Sequence, residues 1–227
     1  MDIIHFMVKN IVYTSPLNTA QAVEIQNNLS DRVIKHDILP DIKYIAGVDM
    51  SIRRTSKTAI ASVVLLNYPG LEIIEIQTAS GDLEFPYIPG LLSFRELPLT
   101  IAACEKLSIT PDLIVVDGQG IAHPRRIGLA SHLGIIMDIP TIGCAKSRLC
   151  GSHTEPENEP GDYTNLIDKD EIIGAVVRTK HGVKPVYVSI GHRISLDTAI
   201  NWIIRCCRGY RLPQPTRLAH LAAGGNL

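Results

Sequence analysis

The stretch that most constrains this chain is Leu113-Ile114-Val115-Val116, set between Pro111 and the pair Gly118 and Gly120. A short, wholly apolar run rich in β-branched residues predicts a strand buried on both faces, as in the middle of a parallel sheet. The next residue is Asp117. A carboxylate at the end of a buried strand needs its desolvation offset. The strand ends of α/β sheets are also where such folds hold ligands. Asp117 is therefore a candidate metal ligand whose partners must come from elsewhere in the chain.

At 227 residues, 45% of them hydrophobic, the chain has enough apolar surface for one α/β domain spanning residues 1–227. No apolar run reaches the length of a membrane span. Met1-Asp2-Ile3-Ile4-His5 lacks a basic segment followed by a long apolar one, so the expected location is the cytoplasm. Five cysteines, with Cys206 and Cys207 adjacent, fit no disulfide framework or zinc ribbon, and reduced thiols are expected. Cys150 with His153 lacks residues nearby to complete a metal set. With a net charge of −1, any grip on nucleic acid must use a local basic face, for which Arg125, Arg126, Lys146 and Arg148 are candidates.

Read in order, the chain offers a helix from Asn18 or Thr19 to about Ile34. Three strands follow: Tyr44–Ile52, Ala59–Leu66 and Leu71–Thr78. Arg53-Arg54-Thr55-Ser56-Lys57 reads as a turn, and the three strands form an antiparallel meander. Phe85-Pro86-Tyr87-Ile88-Pro89-Gly90 makes a stiff protruding loop. A helical pattern begins at Leu91, is interrupted or restarted by Pro98, and continues to Leu107. After the buried strand comes a glycine-rich loop, then a helix over Ile127–Leu133 stopped by Gly134. Thr141–Ala145 is a further strand. Residues 151–165 read as a surface loop, Ile172–Arg178 and Pro185–Ser189 as strands, and Ser195 caps a helix to about Arg205. The tail ends in a short basic and apolar segment, Arg217-Leu218-Ala219-His220.

In this order Asp49 lies in the first strand of the meander and Asp117 at the end of the fourth strand. If those strands are parallel neighbours, their carboxylates face each other and repel. A hard divalent ion, Mg²⁺ or Mn²⁺, removes that cost and can orient a water at a phosphate. Asp before Gly is also a common turn, and from spacing alone the two readings stand level. Lys146 follows a buried strand and points toward the same crevice. Glu96 alone reads as a solvated helix charge and His123 alone as a hydrogen-bonded loop histidine.

Four segments occur in order: Gly47-Val48-Asp49-Met50-Ser51, Tyr87-Ile88-Pro89-Gly90-Leu91-Leu92-Ser93-Phe94-Arg95-Glu96, Val116-Asp117-Gly118-Gln119-Gly120-Ile121-Ala122-His123-Pro124-Arg125 and Ala145-Lys146-Ser147. Together they closely resemble endonuclease V, the deoxyinosine-directed nuclease family, over nearly the whole chain. The resemblance implies a ribonuclease H-like mixed sheet flanked by helices. It also implies Mg²⁺-dependent cutting of inosine-containing DNA at the second phosphodiester bond 3′ to the deaminated base, leaving 3′-hydroxyl and 5′-phosphate ends, with Mn²⁺ as a substitute. Asp49 and Asp117 match the metal ligands, with Glu96 a further acidic member acting directly or through water. Lys146 matches a residue that steadies the attacking water or the phosphate. His220 matches the last position of the site, where members carry Asp or His.

Pro86, Tyr87, Ile88 and Pro89 match the strand-separating wedge. Gly90, Leu92 and Gly118 match a pocket whose backbone amides read hypoxanthine and exclude the 2-amino group of guanine. His123 and Arg125 lie in the loop beside it, on the DNA side. A monomer without membrane association is expected. Two alternatives remain: the same chemistry directed at inosine in RNA, and a non-catalytic inosine-binding module, which retention of Asp49, Glu96 and Asp117 disfavours. Asp117-Gly118-Gln119-Gly120 lacks the lysine and spacing of a P-loop.

Overall fold

The computed structural model describes residues 5–8, 11–14, 18–52 and 58–227. Strands β1 (His5–Val8) and β2 (Ile11–Thr14) form a separate antiparallel hairpin. Helix α1 (Thr19–Ser30) follows, then the meander β3 (Tyr44–Ile52), β4 (Thr58–Asn67) and β5 (Ile73–Asp82). Helix α2 (Leu92–Cys104) leads to β6 (Leu113–Val116), α3 (Leu129–Met137) and β7 (Thr141–Ala145). The chain continues through β8 (Tyr163–Asp168), β9 (Glu171–Val177), β10 (Val186–His192), α4 (Leu196–Arg205) and α5 (Gln214–Ala223).

Eight strands make one mixed sheet in the order β5-β4-β3-β6-β7-β10-β9-β8. Only the central pairs β3–β6 and β6–β7 are parallel. This is the mixed sheet with a leading meander expected from the sequence. The apolar run of β6 is explained by its two faces. Leu113 and Val115 enter one core layer with Ile200 and Ile203 of α4 and Leu218 of α5. Ile114 and Val116 enter the other with Leu97 and Ile101 of α2 and Leu133 and Ile136 of α3. Strand alternation divides the run between two helical layers, so no position is left for a polar residue.

Several boundaries differ from the sequence reading. Helix α1 stops at Ser30 rather than near Ile34 because the Ile34 backbone is engaged elsewhere. Its carbonyl accepts from Arg193 N at 2.8 Å and its N–H donates to His192 Nδ1 at 3.3 Å. Pro98 does not break α2. Burial of Phe94, Leu97 and Ile101 on one side of the helix outweighs the one backbone bond that proline removes.

Gly134 does not stop α3; Asp138, at φ 55°, caps it instead. Gly134 lets the helix approach β7 and β10, since a Cβ there would collide with the side chains of Thr141 and His192. The segment read as a loop over 151–165 ends in β8, an edge strand that buries Leu166 and leaves Tyr163 and Ile167 exposed, so no apolar alternation marks it. The tail forms α5, which the sequence reading left unassigned. The expected turn at 53–57 lies outside the described residues. Among the described residues no helix is long and apolar enough to cross a membrane.

Candidate active site

The parallel register of β3 and β6 pairs Val48 with Val116, so Asp49 and Asp117 leave adjacent strands at the same level. Asp117 N donates to the Val48 carbonyl at 2.9 Å, which extends the ladder by one rung and fixes the second carboxylate beside the first. Both side chains are about nine-tenths buried, at 10% and 9% exposure. Burial and the neighbouring Asp49 raise the pKa of Asp117, while Lys146 and His220 oppose that shift.

Lys146 stands at the end of β7. Its ammonium forms an ion pair with Asp117 and lies 3.9 Å from Asp49 Oδ2. Two side chains hold the backbone that carries it. Arg211 Nη2 donates to the Lys146 carbonyl at 2.6 Å and to the Pro185 carbonyl at 2.9 Å, and Arg211 Nε donates to the Lys184 carbonyl at 2.8 Å. Gln119 Nε2 donates to the next carbonyl along, Ser147 O, at 2.8 Å. Arg211 carries no local sequence signal of this role. Gln119 lies within the segment Val116–Arg125, where no local pattern marks its bond to a carbonyl beyond β7.

His220 arrives on α5, with Nδ1 2.6 Å from Asp49 Oδ2 and 3.4 Å from Lys146 Nζ. Gly47 makes this possible. A Cβ there would overlap the Pro215 backbone, so any other residue would push the first turn of α5 off β3.

Glu96 is carried toward the same place by α2. Burial first, then the charges of Asp49 and Asp117, push its pKa up to about 8 against the opposing Arg95. Three carboxylic groups are thus concentrated where one lysine supplies the counter-charge. Asp49, Asp117 and His220 each offer a ligand atom, all within 4.8 Å of one another. Asp117 Oδ2 is buried and, its contact with Lys146 aside, receives no well-aligned hydrogen bond. Two carboxylates with an imidazole and a nearby third acid suit a hard divalent ion that keeps some of its waters. Glu96 falls outside the three-ligand cluster, a placement suited to contact through water.

Beside the carboxylates opens a cleft of about 350 Å³. Tyr87, Ile88, Pro89, Gly90, Leu92, Gly118 and His123, all singled out in the sequence, line it together with Asp117 and Lys146. Ser93, Gln119, Leu129, Ser147 and Leu149 also line it and were not foreseen. Arg148 joins Lys146 in the lining, whereas Arg125 and Arg126 do not line the cleft and bond other partners. Arg126 pairs with Asp168 at 2.9 Å and Glu171 at 2.6 Å, so these four residues do not assemble into one basic face.

The loop over Phe85–Gly90 is held at its base and free at its tip. Phe85 packs on Phe94 with ring centroids 5.8 Å apart, while Tyr87 is 70% exposed. A core-packed tyrosine is thereby excluded. At the inner end three side chains converge on the Gly90 carbonyl: Gln26 Nε2 at 3.0 Å, His123 Nε2 at 3.0 Å and Arg125 Nη2 at 2.7 Å. Arg125 Nε also donates to Gln26 Oε1 at 2.5 Å, so its guanidinium braces the loop from below. His123 Nδ1 accepts from Arg125 N at 3.2 Å, which requires the proton on Nε2 and a neutral ring. Burial, reinforced by the charges of Arg125 and Arg126 and opposed by the Gly90 bond, lowers its pKa to about 4.

The Endonuclease V family model matches residues 27–221, a span that contains every residue of this site except Gln26. An endonuclease V of Rippkaea orientalis is 49% identical over 217 residues, covering 95% of each chain. The crystal structure of an endonuclease V from Streptomyces avermitilis is 39% identical, covers 93% of both chains and superposes with a TM-score of 0.88. A Ciona intestinalis endonuclease V solved with a 24mer DNA containing an inosine followed by a ribo-adenosine is 28% identical. It covers 91% of this chain and 96% of its own, with a TM-score of 0.79. Near-complete coverage on this scale leaves one assignment: the chain belongs to the endonuclease V family of nucleases.

Proposed function

We propose that this chain is a Mg²⁺-dependent endonuclease that nicks the inosine-containing strand of DNA at the second phosphodiester bond 3′ to the deaminated base, initiating its repair. The observation that carries the reading is the pairing of Asp49 with Asp117 at the ends of adjacent parallel strands, under Lys146 and His220. Asp49 and Asp117 would hold the ion, His220 would serve as a ligand or hold a water, and Glu96 would act through water. Mg²⁺, or Mn²⁺ in its place, would supply Lewis-acid stabilisation of charge developing at the phosphate. Lys146, steadied by Arg211 and Gln119, directs its ammonium to the attacking water or to a phosphate oxygen.

The substrate end of the reading rests on the cleft. A flipped base would be taken into the cleft that Gly90, Leu92 and Gly118 help to line. The exposed ring of Tyr87, on a proline-stiffened loop, takes the vacated place in the stack. The Ciona complex with inosine-containing DNA supports this choice of base.

The test is incubation of the protein with end-labelled duplexes carrying inosine or guanine at one position, with and without Mg²⁺, and mapping of the break. A Mg²⁺-requiring nick in the inosine strand alone is expected; equal cutting of both strands would rule out the pocket. The ribo-adenosine in the Ciona substrate favours one second reading, preference for inosine in RNA. Competition between single-inosine DNA and RNA of the same sequence separates the two.

A further inference from the structure

We propose that Arg217 and Tyr210 form a subsite for the nucleic-acid backbone beside the reacting phosphate, in which the Arg217 guanidinium takes a neighbouring phosphodiester. The proposal rests on the nuclease reading above and adds a contact to it.

Helix α5 buries Pro215, Thr216, Leu218 and Ala219 and leaves Arg217 and His220 toward solvent. Residues three apart share one side of a helix, so Arg217 stands one turn from the ring that meets Asp49 and Lys146. Tyr210 directly precedes Arg211, whose guanidinium grips the Lys146 carbonyl. The pair is thus tied to the catalytic cluster from both ends.

The guanidinium carbon of Arg217 lies 3.8 Å from the centroid of the Tyr210 ring, which is 50% exposed. Among the described residues Arg217 has no carboxylate within 4.0 Å and makes no side-chain hydrogen bond. Four other arginines of this protein are committed. Arg126 pairs with Asp168 and Glu171, Arg178 with Glu155, Arg193 with Asp138, and Arg125 bonds Gly90 and Gln26. Arg217 is instead oriented by stacking, with its N–H edge free. A planar donor fork held in place and lacking a counter-ion suits a phosphate, and its ordering cost is already met by the ring.

The charge distribution supports the same conclusion. A chain of net charge −1 must attract a polyanion locally, and Lys146 is largely neutralised by Asp117 and Asp49. An unpaired cation one turn away supplies what the cluster lacks.

The experiment measures binding of full-length D117N protein in EDTA, which preserves the substrate, to inosine-containing and undamaged duplexes from about 50 to about 200 mM salt. R217Q should weaken both complexes by the same factor and reduce the slope of log affinity against log salt by about 1. R217K should keep most of the slope. Y210F should bind like its parent, whereas Y210A should bind more weakly with the slope retained. If R217Q lowers the melting temperature, R217M, which preserves the aliphatic stem, replaces it. An unchanged slope in the folded variant overturns the subsite, as does weakening confined to the inosine duplex. The nuclease reading fails separately, if the parent protein binds both duplexes equally and wild type cuts neither.

Discussion

Val48 accepts a hydrogen bond at 2.9 Å from the backbone N–H of Asp117, a residue 69 positions further along the chain. That bond carries parallel pairing one step past the end of β6 and turns two sheet termini into one acidic site. The physical expectation is that the pair tolerates its own repulsion only with a cation beside it. Lys146 serves in part, and a divalent ion would complete the compensation.

Asp117→Asn is therefore expected to fold and to bind nucleic acid but to lose cutting by about 10²–10³-fold or more, the scale for loss of a principal electrostatic group. Single-turnover nicking in Mg²⁺, compared with a thermal melt of the same preparation, checks this.

Arg211→Ala should reduce kcat more than KM. It removes the hydrogen bonds from Arg211 Nη2 and Nε to the Lys146, Pro185 and Lys184 carbonyls and loosens the strand end that carries the ammonium. Unsatisfied carbonyls should also cost about 1–3 kcal/mol of stability each where they stay buried. Arg211→Lys should restore part of kcat, and steady-state kinetics with urea unfolding separate the two effects.

Tyr87→Ala should leave the melting temperature unchanged, because the ring is largely exposed. Loss of a stacked ring should weaken binding of an inosine duplex by about 1–3 kcal/mol. Fluorescence anisotropy against inosine and undamaged duplexes measures the difference.

Acid should destabilise this protein through histidines buried in neutral form. Burial lowers the pKa of His132 to about 3 and those of His123 and His192 to about 4. Each depressed value means that the unfolded chain takes up its proton first as pH falls. The stabilisation is present above the unfolded value near 6.5 and is lost toward the folded value, with a slope of up to about 1.4 kcal/mol per pH unit for each ring. Glu96, raised by burial and by Asp49 and Asp117, works in the opposite direction between its unfolded value and about 8. Comparing His132→Asn with wild type isolates one ring, and urea midpoints should converge as pH drops from about 6.5 to about 4.5.

The sequence revealed most about groups whose type conflicts with their surroundings. Asp117 after four buried residues and Tyr87 between two prolines stood out because a charge and an exposed ring need a reason. The meander and the central strand were legible from period-2 patterning and turn residues. Helix α5 was hidden because prolines at 213 and 215 resemble loop punctuation, although Pro215 sits in the first turn, where a missing N–H costs nothing. With α5 unassigned, the position of His220 could come only from family resemblance. Gln26, Arg125 and Arg211 act on backbone carbonyls distant in sequence, and no local pattern marks such partners. Strand β8, exposed at the sheet edge, lacked the apolar alternation that makes an inner strand readable.

The most direct test of the central claim is Mn²⁺ binding followed by electron paramagnetic resonance, with Mn²⁺ standing in for Mg²⁺ and no substrate present. Wild type should bind the ion and be displaced by Mg²⁺, whereas D49N and D117N, both folded by thermal melt, should lose that binding. Mn²⁺ held by both variants as tightly as by wild type would contradict the assignment of these two carboxylates as the metal site.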